Sequence, residues 1–210
     1  MTMSRRPAWT RRTRTLDEDE RLDNRLALVD QALFAGHRAA GLNLVMQCMW
    51  LHEHAIDFDG LKRFHHNLRH GLMGRRIERS PLPFARHRWV SDLGPSDIDI
   101  ADFARPRTEL SDWADERSQL PVDAEGGPSW HLGVLPLTDG STAVSLVLSH
   151  YVIDGIGGYH VVADAILENL ADLGYPPPQS RTRRRAVSQD ARQTAREARE
   201  VGRALVAAAR

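Results

Sequence analysis

The stretch SHYVIDGIGG, residues 149–158, carries the residue types best suited to chemistry. One histidine closes an apolar run, an Asp-Gly pair follows four and five residues on, and two more glycines come next. Imidazole is the side chain that ordinarily titrates near neutral pH. His150 could therefore act as a general base on a hydroxyl or an amine, help typically worth ~10²–10⁴ in rate. Gly155 is expected to adopt a backbone conformation closed to other residues, with Gly157 and Gly158 lowering the bulk at a helix entrance. The plainer alternative is that His150 is only the polar end of a buried strand and Asp154 only an N-cap. A Ser149–His150 dyad is excluded, because adjacent strand residues face opposite sides of a sheet.

Other clusters are weaker. His52 and His54 share a strand face, and His66 and His70 lie one helical turn apart, so a metal site is conceivable. No Cys pattern or H-E-x-x-H supports it, and no metal is expected. The RTRRR run at 181–185 lacks interleaved aromatics and reads as a solvated linker, so nucleic acid is not an expected partner.

Positioning His150 requires the strand before it and the helix after it. In TAVSLVLSH, residues 142–150, both alternating sets are small or apolar, which predicts a central strand with His150 at its carboxyl end. TDG at 138–140 predicts a hairpin from WHLGVLPL, residues 130–137. A helix is expected over 155–174, with Ile156, Tyr159, Ala163, Ile166, Leu167 and Leu170 on one face. Upstream, the pattern predicts a helix over 23–39 with Leu26, Val29 or Asp30, Leu33 and Phe34 at helix spacing. A central strand over 43–51 follows, then a helix over 59–74 with Leu61, Phe64, Leu68 and Leu72 on one face. A strand over 85–90, a loop or short strand over 97–103 and a helix over 108–120 capped by Thr108 come next. YPPPQSRTRRR at 175–185 is expected as a linker, and 186–210 as a helix with Ala191, Ala195, Ala198, Val201 and Leu205 on one stripe and little to pack against. That stripe is too alanine-rich for strong membrane insertion.

Composition narrows the class. Twenty-eight basic residues balance 28 acidic ones, so no global field draws the chain to nucleic acid or an anionic membrane. Cys48 is the single cysteine, which points to a reducing cytoplasm. The longest strongly apolar runs are strand-sized, and the first 20 residues, basic then acidic, read as a disordered arm without a secretory signal.

The segment VSLVLSHYVIDGIGG at 144–158 resembles the active-site segment of the CoA-dependent acyltransferase superfamily. That superfamily includes chloramphenicol acetyltransferase, peptide-synthetase condensation domains and the bacterial wax ester synthase/diacylglycerol acyltransferases. Its motif is H-H-x-x-x-D-G between a strand and a helix. Residues 42–90 and 127–150 are similar to the strands and helix that precede this motif, and the match is closest to the wax ester synthase/diacylglycerol acyltransferase group. The resemblance implies an α/β (α+β) fold, a mixed β-sheet with helices packed on it. This would be a chloramphenicol-acetyltransferase-like half at 21–175, after the arm at 1–20 and before a linker and C-terminal helix at 176–210. It implies His150 as general base, Asp154 as a loop-holding residue through an arginine, either Arg75 or Arg76, and Gly155 as the residue leaving room at a channel. Ser149 departs from the pattern, standing where a first histidine is expected.

The same resemblance implies an acyl-CoA donor, a hydroxyl acceptor such as diacylglycerol or a long-chain alcohol, and no tightly bound cofactor. It implies a second lobe or self-association to complete the site, in a cytoplasmic protein at most peripheral to membranes. Two alternatives stand beside it: a split, non-catalytic lobe that binds a partner or an acyl chain, and a condensation-type reaction with a carrier-bound donor.

Overall fold

A computed structural model describes residues 24–95 and 97–208. The segment expected as an arm, 1–20, lies outside the described residues. In chain order the elements are α1 (Leu28–Ala39), β1 (Val45–His52), α2 (Phe58–Leu68), β2 (Arg75–Glu78), β3 (Arg88–Ser91), β4 (Asp99–Ile100), α3 (Leu110–Ser118), β5 (Trp130–Pro136), β6 (Thr142–Ser149), α4 (Gly155–Ile166) and α5 (Arg183–Ala208). The main sheet runs β1-β6-β5-β4, and β2 and β3 form a separate antiparallel pair. β6 is antiparallel to both neighbours while β4 is parallel to β5, so the sheet is mixed, as expected.

The β5–β6 hairpin turns at Asp139-Gly140, where Gly140 takes a φ of 87° that disfavours other residues. Every residue of β6 is buried. Alternation sorts its side chains onto two faces. Val144, Leu146 and Leu148 join Trp130, Leu132 and Val134 of β5 beneath Leu61 and Leu68 of α2 and Val161 and Ala165 of α4. Asn67 ties those helices together, its side-chain amide donating to the Ala165 carbonyl at 2.9 Å.

The opposite face carries α3 and is more polar. Gln47 of β1 donates both to Ser145 Oγ at 2.9 Å and to the Ala114 carbonyl at 3.0 Å. Arg117 is buried against Gly133; a Cβ there would sit 2.6 Å from Arg117 Nε, so only glycine leaves space for the guanidinium. That guanidinium pairs with Asp99 on β4 and approaches His131 Nδ1 at 2.7 Å.

Several expectations need correction. The 43–51 run is not a central strand: β1 pairs with β6 alone among the described residues, leaving Met49 and Leu51 exposed at the sheet edge. The helix after the motif ends at Ile166, not near 174, because Glu168 takes a left-handed φ of 55° and Asn169 bonds back to Asp164. Its apolar stripe faces outward, with Ile156, Tyr159, Ile166 and Leu167 exposed, while Gly158, Val161 and Ala165 meet the sheet. Small residues let this helix lie close, which leaves its larger side chains pointing away. In α1 only Phe34 is buried; Leu33 is exposed. The 59–74 helix stops at Leu68 and is followed by a separate 3-10 turn, Gly71–Gly74, in which Gly71 has φ 65°.

Thr108 does not cap α3. It lies within a 3-10 turn, Arg107–Glu109, that leads directly into the helix without a side-chain cap. α5 begins three residues earlier than expected and has polar contacts. Asp190 accepts from Ser80 at 2.5 Å and pairs with Arg181, and Glu197 pairs with Arg86 at 3.0 Å and Arg25 at 3.3 Å. The contacting face carries Ala186, Asp190 and Glu197, and the stripe of Ala191, Ala195, Ala198 and Val201 is exposed; the Leu205 side chain lies outside the described ones.

Candidate functional site

His150 is the first residue beyond β6. Its main-chain N–H donates to the Leu44 carbonyl at 2.9 Å, which carries the β1–β6 pairing one residue past Val45↔Ser149 and fixes the backbone there. The side chain is exposed, and it lines a cavity of about 400 Å³. A tight turn follows: Val152 N–H returns to the Ser149 carbonyl at 3.1 Å, and Val152 and Ile153 are buried beneath it.

Asp154 starts α4. Its Oδ1 accepts from the Gly157 N–H at 2.7 Å, a side-chain cap of the expected kind. Gly157 is needed for that closeness, since a Cβ there would lie 2.8 Å from the Ile153 side chain. Gly155 is not in a conformation restricted to glycine: it is absent from the left-handed region, and open space surrounds its missing side chain. The conformational expectation for Gly155 is therefore corrected, while the room beside it is real.

Arg75 is placed at the site, but not on Asp154. Its Nη2 donates to the Val152 carbonyl at 2.8 Å and its Nη1 to the Tyr175 hydroxyl at 3.0 Å, with the guanidinium 3.9 Å above the Trp89 ring. The arginine thus clamps the turn between His150 and Asp154 through a backbone carbonyl. Arg76 points elsewhere, donating to the Glu125 carbonyl at 2.8 Å, because neighbouring residues of β2 alternate sides. Ser149 is fully buried on the opposite side from His150, and its hydroxyl has no hydrogen-bond partner among the described residues.

Two unlike spaces flank the end of β6. The 400 Å³ cavity is polar-edged, with Asp30 and His37 of α1, Arg75, His150 and Asp154 among its walls. A trough of about 670 Å³ lies between β1 and α4, floored by Met46, Trp50 and Leu148 and walled by Tyr159 and Val162. It opens beside Gly155 and Gly158. Trp50 and Ile166 also border a further cavity of about 360 Å³ reaching α2. Sequence reasoning missed His37, Trp89, Tyr175 and the trough. The spacing Asp30, Leu33, His37 marks one helical face, which could have pointed to α1; nothing in the sequence paired Arg75 with Trp89 and Tyr175.

The remaining histidines do not assemble. The His52 and His54 rings are 6.1 Å apart and those of His66 and His70 5.6 Å, and no group of three or more potential metal ligands occurs among the described residues. No helix among the described residues is long and apolar enough to cross a membrane.

No family model matches the chain. Two curated proteins of Mycobacterium tuberculosis, from strains CDC 1551 and H37Rv and both named "putative diacylglycerol O-acyltransferase", are each 28% identical to it over 184 residues. That alignment covers 82% of this chain but 36% of each relative, so the chain spans about a third of the proteins it resembles. Among solved structures, the starter condensation domain of rhizomide synthetase RzmA superposes with a TM-score of 0.56 at 14% identity, covering 71% of this chain and 40% of that one. The first condensation domain of the CDA synthetase gives 0.54 at 13%, covering 70% and 40%. A mutant form of the RzmA domain was solved in complex with C8-CoA and Leu-SNAC, with a TM-score of 0.57 at 13% identity over 68% of this chain and 34% of that one. The fold of this chain is that of condensation domains, a CoA-dependent acyltransferase-like fold, in agreement with the resemblance carried by residues 144–158.

Proposed function

We propose that this chain is one lobe of an O-acyltransferase that moves an acyl group from acyl-CoA to an alcohol. The observation carrying this reading is the exposed His150 imidazole, held at the end of β6 on the wall of a polar-edged cavity, with an apolar trough opening beside α4. His150 takes the proton of the acceptor hydroxyl as that oxygen attacks the thioester carbonyl. The tetrahedral intermediate collapses with loss of the CoA sulfur, which receives the proton from the imidazolium. No covalent enzyme intermediate forms. Asp154 and Arg75 act through the backbone, one by capping α4 and the other by holding the Val152 carbonyl, so both position His150 and neither touches the reacting atoms.

The trough has the chemistry to take an acyl tail, since burial of methylenes there is favourable by about 0.8 kcal/mol each. A second lobe completes the site, an arrangement supported by the chain spanning 36% of its curated relatives. A second reading, a lobe that binds acyl chains or a partner without turnover, is favoured by the trough itself, whose walls carry no Asp, Glu, His, Lys or Arg. A condensation-type reaction is distinguished by donor competition between CoA thioesters and carrier-bound thioesters.

The deciding experiment replaces His150 with alanine and follows acyl transfer from acyl-CoA to glyceride and long-chain alcohol acceptors, with the chain alone and mixed with a candidate second lobe. Turnover is expected to fall by ~10²–10⁴ with the thermal midpoint unchanged. Equal turnover in the variant removes His150 as the base.

A further inference from the structure

The apolar trough does not stop at Trp50. Alternate residues of a strand share a face, which puts Leu44, Met46, Cys48, Trp50 and His52 in one row along β1. Leu44 lines the cavity of His150, Met46, Cys48 and Trp50 line the trough, and Trp50 and His52 line the 360 Å³ cavity that reaches α2. Helix α4 borders the same three spaces in the same order. Asp154 meets the first, Gly155, Val162 and Ile166 the second, and Ala165 and Ile166 the third. The register of β1 on β6 gives the direction: Met46 lies opposite Leu148, two residues before His150, whereas Trp50 lies opposite Val144. The spaces therefore follow one another in a line leading away from the imidazole, with Trp50 and Ile166 shared by the last two.

From this line we propose that the 360 Å³ cavity receives the far end of a long acyl chain, with Trp50 and Ile166 as the joint the chain must pass. This rests on the acyltransferase reading and adds the donor length that reading leaves open. A strand rises ~3.3 Å per residue, so Leu44 to Trp50 spans about 20 Å. An extended chain advances ~1.2 Å per bond, as a polypeptide does over three backbone bonds per residue, so about 16 bonds cover that span. A dodecanoyl chain thus ends inside the trough, and an octadecanoyl chain crosses the joint. The Trp50 ring is held edge-on to Phe64, with centroids 6.2 Å apart, so packing places the joint. Past it Ile56, Leu61 and Phe64 continue the apolar lining, while Asp57, Arg63 and Glu168 border the same cavity. Hydrocarbon gains by filling the apolar part and halts where those charged groups begin, which bounds the chain from above.

The test titrates the 210-residue chain by calorimetry with dodecanoyl-CoA and octadecanoyl-CoA below their micelle concentrations, with CoA as the blank. Octadecanoyl-CoA is expected to bind at least ~tenfold more tightly, since each buried methylene multiplies affinity by up to ~fourfold. Ile56→Glu puts a carboxylate in the far cavity and none in the trough. It is expected to cut that ratio below ~threefold and to leave dodecanoyl-CoA binding as in the wild type. Ile166 is 64% exposed and tolerates bulk, so Ile166→Trp should narrow the joint with the same result and an unchanged thermal midpoint. Equal binding of the two donors by the wild-type chain, or no binding of either, would overturn the proposal. So would a ratio that neither variant alters, or an equal loss for both donors in a folded Ile56→Glu variant. The titration needs no turnover, so its failure is distinct from failure of His150 as the base, which the His150→Ala assay reads.

Discussion

The two faces of the main sheet hold their helices by different means. Under α2 and α4 the contact is a continuous layer of leucine, valine and tryptophan, closed by one amide bond from Asn67. Under α3 the strands present Gln47, Ser145, His131 and a glycine, and the helix answers with Arg117. Apolar area is forgiving about register, whereas a buried guanidinium over a glycine has one place to sit. The first face thus supplies the bulk of the adhesion, and the second fixes where α3 lies. His150 stands at the carboxyl end of the strand that both faces share.

That contrast can be broken most severely on the apolar side. Leu146→Ala, at the centre of that layer and fully buried, is expected to cost ~2–5 kcal/mol in urea unfolding. A loss below ~1 kcal/mol would mean that this face is not the main adhesive. An intermediate effect comes from pH on the other side. Burial, reinforced by the Arg117 guanidinium, pushes His131 down to about 4, so the folded chain keeps this ring neutral where the unfolded chain would protonate it. The unfolded state then binds more protons below about pH 6.5, and stability falls as pH drops from there toward 4. His65 and His87, also lowered by burial, act with the same sign. The urea midpoint of wild type should therefore drop more between pH 7 and 4.5 than that of His131→Gln; equal drops would take His131 out of the account.

The smallest effect is expected at Ser149. Its hydroxyl is fully buried without a partner among the described residues, so Ser149→Ala should be neutral or stabilising by up to ~1 kcal/mol. A clear loss of stability would show that this hydroxyl is satisfied after all.

How much of this was readable in the residues depends on how far apart the partners lie. β6, its hairpin and the capped helix after it are local: alternation, Asp139-Gly140 and Asp154 three residues before Gly157 each act within a few positions. The placing of His150 at a strand end followed from that short range, while the fold class came with the resemblance of residues 144–158. The sheet order followed from neither, because an apolar run such as 43–51 reads alike whether it has one neighbour or two, and β1 has one. Arg75 and Arg76 were both named, with Asp154 as the partner; Arg75 instead reaches Val152 and Tyr175 across 77 and 100 residues, distances over which spacing carries no information. Spacing put the apolar residues of α4 on one face without telling which way that face turns, since Gly158 and Ala165, not the larger residues, set how close the helix comes.

β1 contains no Asp, Glu, Lys or Arg, and its outer row of amides and carbonyls meets no other strand among the described residues. Charged side chains on such a border normally discourage chance annealing between molecules. Here that deterrent is absent, so crowding the purified polypeptide invites sheets to grow from one molecule into the next.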